Sequence, residues 1–470
     1  MTQTTPVATH KGLLLALTCA AQFIVVLDIA IVNVALPTIR ADLGFTQSGL
    51  QWVVVAYGLT LGGFLLLGGR LADHLGRRRI LVAGLTIFTG ASLLAGTAGQ
   101  AELLVGARAL QGFGAAMIPP AALSILAVTF DEGAERNRAL GLYGAVAGIS
   151  ATVGVIASGL LTDGPGWRWI FLINVPIGVA LVATALRSLP MDTPSRTREP
   201  FDVAGAVTVT GGLLLLVYGL SRGAEHGWAS TSTAGLFAGS AALLVAFVVV
   251  EIRSRSPLVP ATAVRNRTLL AANLSAFFTF GAFFALIFVG TLLMQQVLAY
   301  SPTRTGVAWV ATSGISFFAA AITGGKLAEA WGVRRVLVGG LTLLATAMVL
   351  LARVPADAGY AADLLPAFLL AGIAVGAAAP AAQIGALAGV DGAMTGLASG
   401  LVETSREIGG AVGVAAVSTV LIAQTGLDGL HAAIWVIFTI ATLGAVTALL
   451  GFPREARVTD ALPTRDAVSR

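Results

Sequence analysis

Fourteen apolar runs, each close to the roughly 20 residues that cross a bilayer as a helix, occupy this 470-residue chain almost end to end. They lie near 13–36, 50–68, 80–98, 102–125, 138–161, 167–188, 203–221, 233–252, 269–291, 305–325, 335–352, 364–386, 398–422 and 431–451. Hydrocarbon offers backbone N–H and C=O groups no partner, so a spanning segment must satisfy them as a helix or a closed barrel. The alternating segments of a barrel are absent, and every run reads as helical. Composition agrees: 56% of residues are hydrophobic and 11% charged, against about 25% charged in soluble domains. The expected class is therefore an all-α integral membrane protein of fourteen transmembrane helices.

Charge placement gives an orientation. With the N-terminus inside, the inner segments hold 21 basic residues and the outer segments five (Arg40, Arg168, Arg222, Arg304 and Arg353), while Arg108 and Arg406 fall within spans. That asymmetry predicts both termini on the cytoplasmic side and an even number of spans. The net charge of +5 then reflects placement against an anionic leaflet rather than a nucleic-acid partner. The first run is longer than a usual signal core and reads as the first span. Cys19, the single cysteine, excludes an internal disulfide and reads as a packing residue. Only Lys11 and Lys326 are lysines, which with abundant Ala, Gly and Val suggests a GC-rich bacterial genome and a bacterial cytoplasmic membrane.

The chain also repeats itself. GGRLADHLGRRR (68–79) follows the second run and GGKLAEAWGVRR (324–335) the tenth, offset by 256 residues. Two six-span halves with two extra spans between them produce that offset. The expected organisation is an N-terminal bundle at 1–188, linker loops and two inserted spans at 189–267, a C-terminal bundle at 268–451 and a cytoplasmic tail at 452–470. The loop SLPMDTPSRTREP, rich in proline and charge, reads as a flexible linker.

Within this apolar background the ionisable residues stand out. Asp28 is the only charge in LDIAIVNVALP (27–37), and a charge at a helix centre costs about 2.5–3.5 kcal/mol on insertion scales. Such residues face the bundle interior and serve transport, or else hold neighbouring helices together. Counted from the same face, Asp28 and Arg108 lie at depths of about 12 and 9 Å, so they can meet if their helices are neighbours. The bland reading of Arg108 is a snorkelling side chain. Glu403, Arg406 and Glu407 open the thirteenth run and read as a solvated helix end. Phe277, Phe278, Phe280, Phe283, Phe284 and Phe288 fall all around the ninth and read as lipid-facing or packing residues. Asn33, Gln51, Trp52, Tyr57, Gln111 and Gln383 are candidates for a substrate cavity, since pockets for small molecules are mostly apolar with few polar contacts. His10, His74, His226 and His431 are scattered, with no clustered metal ligands and no phosphate loop, so no cofactor, metal or enzyme chemistry is expected. An ATP-driven pump would need a soluble nucleotide domain, for which no segment is long enough.

Four stretches in order resemble the major facilitator superfamily, and its fourteen-span drug/proton antiporters in particular. GGRLADHLGRRRI matches the loop motif after span two at Gly69, Leu71, Ala72, Asp73, Gly76, Arg77 and Arg78. RALQGFGAA (108–116) matches the fourth-span motif through Arg108, Gln111 and Gly112. LDIAIVNVALP and WRWIFLINVPIG (167–178) are similar to the branch's first span and to its entry to span six. The resemblance implies two six-helix bundles plus two inserted helices, with drug efflux and antibiotic resistance by proton antiport. It implies that Asp28 and Arg108 couple protons, and that Gly69, Asp73, Gly76, Arg77 and Arg78 form a conformational latch echoed by Glu329. The alternative for the arginines is that they only set topology. In the fifth span Gly144, Gly148, Gly154 and Gly159 fit a helix-packing motif, whereas Val155 stands where proline is usual and Ser158 where glycine is usual. Val155 therefore favours the runner-up, a proton-independent transporter of another solute. A non-transporting membrane sensor would leave Asp28 and the two loop copies unexplained.

Overall fold

The computed structural model describes residues 11–190, 202–254, 257–424 and 426–453. Most of the expected linker at 188–202 and all but two residues of the tail at 452–470 lie outside the described residues. Among those described, every regular element is helical: α1 (Lys11–Leu43), α2 (Gln47–Leu75), α3 (Arg77–Gly96), α4 (Ala101–Thr129), α5 (Ala134–Asp163), α6 (Trp169–Leu172), α7 (Asn174–Ser188), α8 (Val203–His226), α9 (Thr231–Arg253), α10 (Ala261–Arg265), α11 (Arg267–Leu292), α12 (Pro302–Ile322), α13 (Ala328–Leu351), α14 (Leu365–Leu387), α15 (Thr395–Ala423) and α16 (Gly426–Gly451). Short α10 aside, and with α6 and α7 counted as one broken rod, fourteen long rods result. Thirteen are long and apolar enough to cross a membrane. The remaining one, α5, carries side chains outside the described set at 151, 152 and 155.

The rods form two six-helix bundles. In the first, α4 packs against α2 and α3, α1 against α5, and α3 against α7; in the second, α11 packs against α15 and α16, and α14 against α12 and α13. The bundles meet along two seams, α2 with α15 and α5 with α12. The inserted helices α8 and α9 pack on each other, and α8 lies over the first seam, touching both α2 and α15.

Small residues allow the close approaches, as expected where lipid removes the hydrophobic drive between helices and packing must hold them. A methyl on Gly112 of α4 would collide with the Tyr57 carbonyl of α2, and one on Gly84 of α3 would lie 2.9 Å from the Gly114 carbonyl. Across the second seam Gly141 meets Gly324 backbone to backbone. The expected glycine face of α5 is only partly used. Gly154 packs on Ala30 and the Leu27 carbonyl of α1, Gly144 faces Pro380, and Gly148 faces Ser316, but a methyl at Gly159 would meet nothing within 4 Å. Ser158 replaces packing with a hydrogen bond, its hydroxyl donating to the Ile31 carbonyl.

The sequence repeat is also a repeat of backbone. Gly76 (φ 105°, ψ 140°) and Gly332 (φ 76°, ψ 153°) turn the chain between consecutive spans in a conformation L side chains rarely adopt. Arg78 donates to the Leu186 carbonyl at the end of α7 (2.6 Å), and Arg334 to the Leu449 carbonyl at the end of α16 (2.8 Å). Each copy thus ties the third helix of its bundle to the last. Cations beside exposed C-terminal carbonyls are favourable.

Candidate functional site

The interior of the first bundle holds a buried polar cluster. Arg108, on α4, is 1% exposed and Asp28, on α1, is fully buried. The Arg108 guanidinium donates to Asp28 Oδ2, to Gln111 Oε1 (2.7 Å) and to the Val53 carbonyl (2.9 Å). The second carboxylate oxygen accepts from Gln111 Nε2 (2.7 Å) and from Asn174 Nδ2 (2.9 Å). Gln111 also donates to Ser92 on α3 (2.9 Å). The guanidinium carbon stands 4.2 Å from the centre of the Tyr57 ring, and the Tyr57 hydroxyl reaches the Val25 carbonyl at 3.4 Å.

The local sequence explains the geometry. Arg108 and Gln111 are three apart on one helix and therefore share a face. Pro176 cannot donate to the helix ladder, and the sixth rod breaks just before it, between α6 and α7. Asn174 sits at that break, which aims its amide at Asp28. An isolated buried carboxylate is costly, and three side-chain donors offset that cost here. Asn174 and Ser92 are functional candidates that the sequence reading missed. A polar side chain inside an apolar run was the available signal for both.

Several expected residues change place. Tyr57 and Gln111, expected in a substrate cavity, both touch the Asp28–Arg108 pair. Gln51 is exposed, and Trp52 is 37% exposed with its ring against Tyr218 of α8. The side chain of Asn33 lies outside the described residues.

Glu403, Arg406 and Glu407 are a clear correction. They do not form a solvated helix end. Glu403 is 1% exposed and Arg406 8%, because α15 begins at Thr395 and carries them more than a full turn inward. Arg406 lies 2.9 Å from Glu403 and 3.0 Å from Glu407, over the Phe280 ring at 5.2 Å. Gln383 on α14 donates to Glu403 (3.3 Å). Phe280 therefore covers a cation, and Phe284 packs on Gly410 of α15.

At the end of the molecule rich in arginine, Asp73 closes the first seam. Its two carboxylate oxygens accept from the backbone N–H groups of Gly396 and Leu397, each at 2.7 Å. These are the unsatisfied donors of the α15 N-terminus, where partial positive charge favours a carboxylate. Arg77 donates to Ser124 Oγ (2.7 Å), to Thr395 Oγ1 (3.1 Å) and to the Gly392 carbonyl. Gly69 lets α2 press against Gly396 and Gly400. Arg78, by contrast, bonds within its own bundle. Glu329, at the position equivalent to Asp73, is exposed and does not repeat the clamp. The α5 N-terminus it would approach already carries Glu135 in its first turn, and a second carboxylate there would meet like charge.

The sequence profile of the Major Facilitator Superfamily matches residues 18–308 and 272–469. The puromycin resistance protein of Streptomyces alboniger is 40% identical over 85% of this chain and 80% of its own length. The cephamycin export protein of Amycolatopsis lactamdurans is 38% identical over 86% and 84%, and the lincomycin resistance protein of Streptomyces lincolnensis 34% identical over 91% and 88%. Two solved structures share the fold: the human organic anion transporter MFSD10 (15% identity, TM-score 0.66, covering 93% of this chain and 99% of that one) and a proton:xylose symporter (13% identity, TM-score 0.66, covering 93% and 95%). With its two six-helix bundles, its repeated loop and relatives that confer resistance to or export antibiotics, this chain belongs to the major facilitator superfamily.

Proposed function

We propose that the protein is a proton-coupled secondary transporter that exports lipophilic drugs or antibiotic-like small molecules across the bacterial cytoplasmic membrane. The observation that carries this reading is the buried Asp28–Arg108 pair, in a chain whose relatives are named for antibiotic resistance and export. A carboxylate held by a guanidinium favours its charged form, and one left buried alone favours the protonated form. Rocking of the two bundles (1–188 and 268–451) about the interior, with both termini cytoplasmic, would alternately join and part the pair, loading and releasing a proton. Asp73 and Arg77 hold the arginine-rich end shut in one of these states. The second reading, proton-independent flux, draws on α5, which runs unbroken past Val155.

The test is flux in proteoliposomes under an imposed pH gradient, following substrate and protons together. Wild-type protein extrudes substrate only with the gradient, and Asp28→Asn retains a folded protein but loses gradient-driven flux. Wild-type coupling in the Asp28→Asn protein would remove that residue from the mechanism. Equal flux without any gradient would overturn proton coupling itself.

A further inference from the structure

The inserted pair α8–α9 lies over the first seam, and the chain that leaves it enters the second bundle. Glu251, in the last turn of α9, draws that exit back toward itself. Its Oε1 accepts from the Leu258 N–H and its Oε2 from the Val259 N–H, each at 3.0 Å. Asp202 opens α8 beside it, with Oδ1 accepting from the Gly205 N–H (2.7 Å), and a Cβ on Gly205 would stand 2.9 Å from Glu251 Oε1. Leu258 is 3% exposed and belongs to one apolar core with Ala206 and Val209 of α8 and Ala271 of α11. From the first bundle, Arg70 of α2 reaches the same segment, its guanidinium donating to the Pro257 carbonyl (3.2 Å).

Arg70 directly follows Gly69, which presses on α15, and shares a helix face with Asp73, which caps α15. It interacts electrostatically with both Asp73 and Glu251. One turn of α2 thus grips the second bundle twice, at the α15 N-terminus and at the segment that leads through α10 into α11. Only residues 254–260 join α9 to α10, and a chain drawn out straight gains about 3.3 Å per residue. Parting the bundles at this end carries α11 away from α2, and the segment follows only by surrendering length that Glu251 and Arg70 keep folded. We infer that Arg70 and Glu251 are positioning residues of the transport cycle: they keep segment 257–260 seated on α2 as a second fastening across the first seam, anchored by the inserted pair. A charged donor strengthens such a bond. This inference rests on the rocking of the bundles in the export reading and gives the two inserted helices a role in it.

The test is amide hydrogen exchange in lipid nanodiscs, which needs neither substrate nor gradient. The Leu258 and Val259 amides report the segment, and the Gly396 and Leu397 amides report the Asp73 clamp. Arg70→Ala should speed exchange at both places by about fivefold, the factor that one hydrogen bond carries. Glu251→Gln, which leaves one good acceptor for two N–H groups, should speed both as well, and thermal unfolding in the same discs checks that each variant is folded. Faster exchange at Leu258 and Val259 with no change at Gly396 and Leu397 would make Arg70 a local loop tie and overturns the inference. A second arm adds restraint instead of removing it. Arg70→Cys with Pro257→Cys in a Cys19→Ala background, joined by a short bifunctional thiol reagent, should slow exchange at Gly396 and Leu397, and an unchanged rate in the joined protein overturns the inference too. Proteoliposomes of the same preparation separate this from the export reading. Gradient-driven extrusion by a protein whose clamp ignores Arg70 sinks the fastening alone, and a clamp that responds to Arg70 without any extrusion sinks export alone.

Discussion

Among the described residues two arginines are buried, and they sit in opposite circumstances. Arg108 and Asp28 are locked inside one bundle, and both Asp28 oxygens accept hydrogen bonds from Arg108, Gln111 and Asn174. Arg406 is shared by two carboxylates, and the cluster around it leaves Gln383 and Glu403 atoms unpaired. Both clusters hold a buried atom without a hydrogen-bond partner, Asn174 Oδ1 in the first and Gln383 Oε1 in the second, and a low-dielectric network rigidifies its surroundings more firmly the more of its groups are paired. The first arrangement is suited to holding a charge in place until the helices move. One fold thus holds two buried ion-pair clusters, one inside a bundle and one between bundles.

The largest expected effect comes from breaking the Asp28–Arg108 cluster. Arg108→Leu strands Asp28 among apolar helices, and removing one partner of a buried pair costs about 3–5 kcal/mol. The midpoint of thermal unfolding in detergent should fall further for this variant than for any other considered. The Arg406 cluster should tolerate insult better. Glu403→Gln keeps Arg406 paired with Glu407 and removes an oxygen that accepts no hydrogen bond, so its cost is about 1 kcal/mol. Equal losses of stability in the two variants would dissolve the distinction between them.

How far these clusters can be read in the sequence follows from what places each residue. The spans, the repeat and the meeting of Asp28 with Arg108 were legible because apolar run length, helical rise and chain direction fix depth without knowledge of packing. Gln111 and Tyr57 were recognised as interior residues, but their contact with Arg108 was not legible. Their cluster depends on rotation about the helix axis and on a helix break that delivers Asn174 from another rod. Glu403 was misread for a different reason. An acid near the start of an apolar run is ordinarily wet, and only the extension of α15 back to Thr395 pulls it inside. The failure of Glu329 to copy Asp73 was equally hidden, because the repeat preserves the turn at Gly332 but not the charge of the helix end it faces.

A smaller effect is expected where the bundles meet. Asp73→Asn leaves one good acceptor for the two N–H groups at the α15 N-terminus, a loss comparable to a helix cap at about 1 kcal/mol. Because the bond crosses the seam, the loss falls on the state in which that seam is closed rather than on folding. A shift of about fivefold toward the open state follows. Labelling of a cysteine placed at Ser124, which faces the clamp, in a Cys19→Ala background should speed up by that factor, while the midpoint of unfolding barely moves. Unchanged labelling would reduce Asp73 to an ordinary cap.

The smallest effect belongs to the opposite end, where α1 finishes outside the membrane span. Asp42 accepts from Trp167 Nε1 (3.0 Å) and from Arg168 (2.7 Å), and these two hydrogen bonds hold its carboxyl below the usual carboxylate range. A folded-state pKa below the unfolded one means the carboxylate stabilises the fold at pH values above about 4. That contribution fades as pH falls through the folded value. Asp42 is solvent-exposed, so the gain is small and screened by salt. Asp42→Asn should therefore lower the unfolding midpoint slightly at pH 7 and not at pH 2.5, with the difference shrinking further in high salt. A deficit that persists unchanged at pH 2.5 would assign the contact to hydrogen bonding alone.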